Sequence, residues 1–218
     1  MEGMNSIEFT ISRNIQLGNA LFNLLIVYFV YRHYRDRNYA PAQRYRTTLP
    51  RFFAGIVDQA VLFPIHFLLS LAAPWLSLYL LALLQIIIDT TYSILLHARY
   101  GQTVGKRVCR IRIVDHLTGT QISLNQALLR DSGLLIGLFY AVAVLKGEDF
   151  DPNHLTGTAA LVAGIWFMVE IITMLLNEKR RALHDLIAGT VVIRTQIDAG
   201  QPAPPSAAVA PQPPEDTP

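Results

Sequence analysis

The sequence predicts an all-α fold, a polytopic transmembrane helix bundle of four core spans with one further N-terminal span. Of its 218 residues, 52% are hydrophobic and 16% are charged, whereas a soluble domain carries about a quarter charged residues. The apolar residues also cluster into runs long enough to cross a bilayer. A short cytoplasmic β-hairpin and a disordered C-terminal tail complete the predicted architecture.

Five apolar stretches carry the predicted spans, and each is close to the ~20 residues that cross about 30 Å of hydrocarbon. The first contains Asn19 and Asn23, so an amphipathic helix lying at the interface is the alternative for it. Pro74 separates the second from the third, which predicts a tight turn between antiparallel helices. In chain order the stretches are 15–34, 51–73, 75–97, 128–145 and 157–177.

The distribution of Lys and Arg predicts the orientation in the membrane. Segments 32–51 and 98–130 are rich in arginine, and further basic residues follow the last span. Connections 72–74 and 146–156 carry no such excess. We therefore expect a multi-pass protein of the cell inner membrane, with its basic connections in the cytoplasm and its N-terminus outside.

Composition divides the chain into three regions. Residues 1–47 hold the N-terminal apolar helix and a basic linker, and residues 48–196 hold the transmembrane domain. Residues 197–218 are rich in Pro and Ala and cannot bury a core, so they are predicted to be disordered.

The predicted β-hairpin lies in residues 107–123, where polar and apolar residues alternate around Thr118 and Gly119. Such alternation on both sides of a turn is typical of two paired strands. Residues 190–196 form another strand-like segment that could pair with this hairpin.

Several classes of function are disfavoured by composition. The single cysteine, Cys109, excludes an intramolecular disulfide and a cysteine-cluster metal site. A net charge of +2 gives no support for a nucleic-acid partner. Since no nucleophile–base pair or metal cluster is apparent, we expect neither enzymatic activity nor a cofactor.

Three acidic residues lie inside the predicted spans, namely Asp58, Asp89 and Glu170. Each lies seven or eight residues from the cytoplasmic end of its helix, a depth of roughly 10–12 Å at about 1.5 Å per residue. A charge facing lipid is costly, so these side chains are expected to point into the bundle. The shared depth predicts a layer of carboxylates in a water-poor interior.

Two interpretations of this layer remain open. Each acid can pair with a basic or hydroxyl partner and fix helix packing, with Arg51, Arg130 and His97 as candidates. Alternatively, the layer binds a cation or relays protons, because clustered carboxylates in a low dielectric titrate closer to neutral pH.

Four short motifs carry a family resemblance. RFFAGIVD at 51–58 resembles the Arg-x-x-Ala-x-x-x-Asp signature of the RDD family, small bacterial membrane proteins named for one arginine and two aspartates. GQTVGK at 101–106, LRD at 129–131 and RALHDLIAGTVV at 181–192 are similar to the motifs that follow it in these proteins. The resemblance covers residues 48–195, and the N-terminal stretch, the tail, Asp89 and Glu170 fall outside the family pattern.

The resemblance implies roles for particular residues. Arg51, Asp58 and Asp185 correspond to the naming residues. With Arg130 they are hypothesised to form a structural charge network, through Arg51–Asp58 and Arg130–Asp185 pairs, that ties the cytoplasmic helix ends together. The loop motif contributes Gly101, Gln102, Thr103, Gly105 and Lys106.

The function predicted from these observations is transport of a small cation or solute, of the cation/proton exchange type that the family resemblance suggests. Asp58, Asp89 and Glu170 are the candidate ion-binding or proton-exchanging groups. The alternative is a non-transporting scaffold or assembly factor whose basic cytoplasmic face recruits a protein partner. The expected partners are the lipid bilayer, a small cation or proton and, since four core spans are few for a carrier, further copies of the chain.

Overall fold

The computed structural model describes residues 2–72, 74–131 and 152–197. This part of the chain is mostly helical, with a 3₁₀ turn at Pro41–Gln43 and a small two-stranded sheet. The helices are α1 (Glu2–Arg35), α2 (Thr48–Ser70), α3 (Leu78–Tyr100), α4 (Val104–Val108), α5 (Leu124–Arg130), α6 (Pro152–Leu176) and α7 (Leu183–Ile187), and the strands are β1 (Ile111–Asp115) and β2 (Thr190–Arg194).

Two described helices, Thr48–Ser70 and Leu80–Tyr100, are long and apolar enough to cross a membrane. They correspond to the second and third predicted spans. The hydroxyl of Ser77 caps α3 by accepting a hydrogen bond from the N–H of Leu80, which fixes where the chain re-enters a helix after the turn.

The other predicted spans are supported less fully. α1 includes the first stretch, and whether that stretch crosses or lies flat stays a prediction. The fourth span, 128–145, falls mostly outside the described residues. α6 covers the fifth, and the part of it whose side chains are described, Leu161–Leu176, is apolar. The count of four core spans therefore remains a prediction.

The sheet corrects the predicted hairpin. β1 pairs antiparallel with β2, from Ile111 opposite Arg194 to Asp115 opposite Thr190. Residues 107–123 contain one strand, because the Asp115 side chain accepts the N–H groups of Leu117 and Thr118 and turns the chain away. The expected pairing with the segment 190–196 is confirmed.

The buried core lies where the first half of α2, α4 and the sheet meet. Its members include Ala54, Val57, Cys109, Ile111 and Val192, all nearly inaccessible to solvent. We call this part of the molecule, with the arginine-rich connections around it, the basic end. Along the rest of the helices many large apolar side chains are exposed, as expected of helices that face lipid.

We expect Cys109 to be unreactive in the folded protein. Burial, together with the nearby Asp58 carboxylate, raises the pKa of its thiol to about 12, so almost no thiolate forms at pH 8. Maleimide labelling followed by mass measurement should modify Cys109 only after unfolding. A Leu117→Cys, Cys109→Ser variant places the thiol on an exposed turn and should label at once. Rapid labelling of folded wild-type protein would contradict the burial.

Candidate functional site

Asp185 is the centre of a buried charge cluster at the basic end. It has no exposed surface, and the guanidinium of Arg51 donates to its Oδ2 over 2.5 Å. Arg130 donates to its Oδ1. The N–H of Ala182 and the hydroxyl of Thr190 complete the set at 3.1 and 3.3 Å. One carboxylate thus joins α2, α5, α7 and β2.

The two arginines set the charge of this carboxylate. Burial alone would raise the pKa of Asp185, but the Arg130 and Arg51 guanidinium groups outweigh it and hold that pKa well below its usual range. Asp185 is therefore an anion at every physiological pH. The structure brings together the three residues predicted to form a charge network, Arg51, Arg130 and Asp185.

Arg51 does not pair with Asp58. Its remaining donors reach the carbonyl of Arg180 at 3.0 Å and the hydroxyl of Thr47 at 3.2 Å. Seven residues separate Arg51 from Asp58, roughly 10 Å along the helix, so the two side chains meet different neighbours. Arg51 reaches α7, while Asp58 faces α4.

Asp58 holds the loop motif against α2. Its Oδ1 accepts hydrogen bonds from the Tyr92 hydroxyl and the Gly105 N–H, both over 2.7 Å, and its Oδ2 accepts one from the Thr103 hydroxyl over 2.6 Å. Thr103 is also the N-cap of α4. The carboxylate thus supplies acceptors for backbone and side-chain donors at the start of α4.

The glycines of the loop motif permit this docking. Gly101 ends α3 in the left-handed region, with φ of +67°. A Cβ on Gly105 would overlap the carbonyl oxygen of Ala54 and lie 2.9 Å from Cγ of Asp58. Gln102 donates to the carbonyl of Ile111 over 2.8 Å and so ties the motif to β1.

Lys106, the last residue of the loop motif, lies close to several charges. Burial lowers its pKa to about 8, and the Arg130 guanidinium adds to the shift, while Asp58 and Asp131 oppose it. This half-buried lysine therefore loses its proton more readily than a lysine in solvent. It is a titratable group that the spacing of the motif alone did not predict.

Asp89 and Glu170 are each paired with a histidine. His66 Nε2 lies 2.8 Å from Oδ1 of Asp89, a close contact between α2 and α3 that lacks hydrogen-bond geometry. His184 Nδ1 lies 2.7 Å from Oε2 of Glu170, and the N–H of His184 donates to Oε1 over 3.2 Å. Both contacts place an imidazole against a carboxylate of a different helix.

The three candidate exchange residues, Asp58, Asp89 and Glu170, therefore have three separate sets of partners. In the described ranges no three His, Cys, Asp or Glu side chains lie close enough together to hold a metal ion. Within the same part of the chain these carboxylates share no partner, and a common cation site stays a prediction. Whether any of the three binds an ion stays a prediction.

Sequence reasoning did not predict that His66 and His184 contact Asp89 and Glu170. It also did not predict that Asp131 accepts a hydrogen bond from Ser93. The Ser93 hydroxyl donates to Asp131 over 3.0 Å, and His97 Nδ1 lies 3.7 Å from the same carboxylate. The four-residue spacing of Ser93 and His97, which puts both on one helix face, was a usable signal. No sequence signal pointed to the His66–Asp89 pair, because that contact depends on how far α2 is shifted along its axis relative to α3.

The apolar helices and the buried charges at one end define the class of this chain, a helical membrane protein. It belongs to the RDD family, whose model matches residues 45–189. The chain is 35% identical over 102 residues to the Uncharacterized protein YckC of Bacillus subtilis (strain 168). That match covers 46% of this chain and 53% of the relative, so the chain spans about half the length of that protein. No solved structure matches the chain.

Proposed function

We propose that this chain is a multi-pass inner-membrane protein that moves a small cation across the bilayer in exchange for protons, without covalent chemistry. The observation that carries the proposal is the His66–Asp89 pair. It joins the two helices that are long and apolar enough to span a membrane.

A histidine–carboxylate pair suits exchange for a physical reason. A carboxylate in a membrane span is costly unless it is paired, and imidazole is the side chain that gains or loses a proton near pH 7. When His66 is neutral, Asp89 is an anion able to take a cation. When His66 is protonated, the pair is already neutral. Proton and cation therefore compete for one site.

The pair is also accessible, unlike the carboxylates that hold the fold together. The Asp89 side chain is 38% exposed and that of Asp185 is 0% exposed. Asp58 accepts three hydrogen bonds, which leaves few free lone pairs for an ion. We therefore assign exchange to Asp89, with Glu170 and His184 as a second pair, and assign Asp58 to the docking of the loop motif.

The orientation proposed is the one that Lys and Arg placement predicts, with the basic end in the cytoplasm. Because a bundle of few spans encloses little space for an ion path, we propose that a second copy of the chain helps to form that path. Native mass measurement in mild detergent tests that oligomer.

The exchange proposal is tested by flux in reconstituted vesicles. With a pH gradient imposed, wild-type protein should carry Na⁺ or K⁺ against protons. His66→Asn and Asp89→Asn should each reduce flux about tenfold or more, since each removes one of the two groups at which proton and cation compete. Glu170→Gln should reduce it too. Asp36→Asn and Glu178→Gln, which change exposed acids, are the matched controls and should leave flux unchanged.

Two results would overturn the proposal. One is a wild-type protein that moves no Na⁺, K⁺ or H⁺. The other is an Asp89→Asn variant with wild-type flux and an unchanged unfolding midpoint.

The alternative role as a scaffold has one specific observation in its favour. Arg99, Arg107 and Arg112 line a cavity of about 450 Å³ beside the loop motif, a surface that fits an acidic protein segment. Stable co-purification of one partner, lost in an Arg99→Gln, Arg107→Gln variant, would support it over transport.

A further inference from the structure

A second basic cavity lies where three helix ends meet. It has a volume of about 380 Å³ and is bounded by the end of α1, the start of α2 and the end of α6. Its lining contains five cationic or potentially cationic side chains and no acidic one: His33, Arg37, Arg46, Arg180 and Arg194. Such a concentration of one charge in a cavity attracts an anion.

Two buried donors in the lining have no partner. In the described part of the chain, Nη1 of Arg194 and the hydroxyl of Tyr39 are buried and make no hydrogen bond. Both residues are more than nine-tenths buried, at 9% and 8% exposure. Buried polar groups are normally paired, so this pair of groups indicates a ligand with acceptor atoms.

The Arg194 guanidinium is held in place for that ligand. It lies 3.7 Å from the centroid of the Tyr39 ring, and its Nε donates to the carbonyl of Arg46 over 3.1 Å. A planar guanidinium that is already oriented loses little freedom when it binds a phosphate oxygen.

The start of α2 adds to the attraction for an anion. Thr48, Leu49 and Pro50 line the cavity. The N–H groups of Thr48 and Leu49 belong to the first turn and have no partner within the helix, while Pro50 has no N–H. The N-cap residue, Thr47, makes no side-chain capping bond. The positive end of a 23-residue helix is thus directed at the space beside the arginines.

Apolar side chains flank the same opening. Leu49 and Leu175 line the cavity and are 67% and 53% exposed. Since both lie at ends of apolar helices, they would meet acyl chains while the arginines stay at the level of the headgroups. A soluble phosphate would gain nothing from them.

We propose that this cavity binds the headgroup of one anionic phospholipid. The phosphate accepts hydrogen bonds from Arg194 Nη1 and the Tyr39 hydroxyl, Arg37 and Arg46 add charge at the rim, and the acyl chains lie over Leu49 and Leu175. The proposal relies on α2 spanning the bilayer and is independent of ion exchange.

Native mass spectrometry of the full chain in neutral detergent tests this site. The protein is titrated with phosphatidylglycerol, phosphatidylcholine or inorganic phosphate. We expect one retained phosphatidylglycerol, with the other two probes bound far more weakly. The double variant Arg37→Gln, Arg46→Gln should weaken phosphatidylglycerol binding roughly 25-fold, about fivefold for each arginine near an anionic headgroup. Arg44→Gln with Lys179→Gln makes the same charge change outside the cavity and should bind as wild type.

A second variant separates binding from folding. Tyr39→Phe keeps the ring against Arg194 and removes only the unpartnered hydroxyl. Lipid-free protein should be as stable as wild type or more so, while phosphatidylglycerol binding falls about tenfold. The proposal is overturned by equal retention of phosphatidylcholine, by inorganic phosphate binding as tightly as the lipid, by equal losses in the two double variants, or by unchanged binding in Tyr39→Phe.

Discussion

Asp185→Asn is expected to destabilise the folded protein by about 3–5 kcal/mol, the cost of removing one partner from a buried ion pair. The amide would leave Arg51 and Arg130 facing each other beside a group that no longer carries the balancing charge. The measurement is the unfolding midpoint and free energy in mild detergent titrated with denaturant.

The matched control is Asp36→Asn, which makes the same change at an aspartate whose side chain is 83% exposed. Surface ion pairs contribute little, so a difference within about 0.5 kcal/mol is expected. An Asp185→Asn protein no less stable than this control would show that the cluster does not hold the basic end together.

The pH dependence of the Asp185 contribution has a definite sign. Its folded-state pKa is lowered by Arg130 and Arg51 despite burial, so its stabilisation is complete above the unfolded-state pKa of about 3.9. The gap in stability between wild type and Asp185→Asn should therefore stay constant from pH 8 to 5. It should shrink as the pH falls below 4 toward the folded-state pKa.

Gly105→Ala is the second change with a large expected effect. The new Cβ would overlap the Ala54 carbonyl oxygen, so α4 has to move away from α2. That movement strains packing by about 1–3 kcal/mol and lengthens the bonds from Gly105 and Thr103 to Asp58. Loss of those bonds adds about 1–3 kcal/mol, because a half-buried carboxylate is left with fewer donors.

Gly55→Ala is its control, since a Cβ there meets nothing within 4 Å. In a helix this substitution is expected to be neutral or stabilising by up to about 1 kcal/mol. Denaturant unfolding of the two variants side by side checks the prediction. Equal stability would mean that close contact between α4 and α2 is not required.

The positions of the helices were easier to predict from the sequence than the side-chain pairs that form between distant parts of the chain. The helices 51–73 and 75–97 followed from apolar length, a local property, and the family from four motifs in order. Arg51 was assigned the wrong acid because helical spacing aligns it with Asp58 on α2, whereas Asp185, 134 residues later, is brought near only by folding. Alternation in 107–123 likewise predicted two strands where one forms, although the pairing of this region with 190–196 was predicted correctly.

The pairing of β1 with β2 has a consequence for synthesis. Arg51 and Asp58 enter the bilayer well before the residues that complete the core, and Asp185, which neutralises Arg51, is translated 134 residues later. The nascent chain therefore holds an uncompensated cation at the membrane surface until Asp185 emerges from the ribosome. Premature stop codons shortly before Thr190 should consequently produce inserted but unfinished molecules, which are natural targets for membrane proteases.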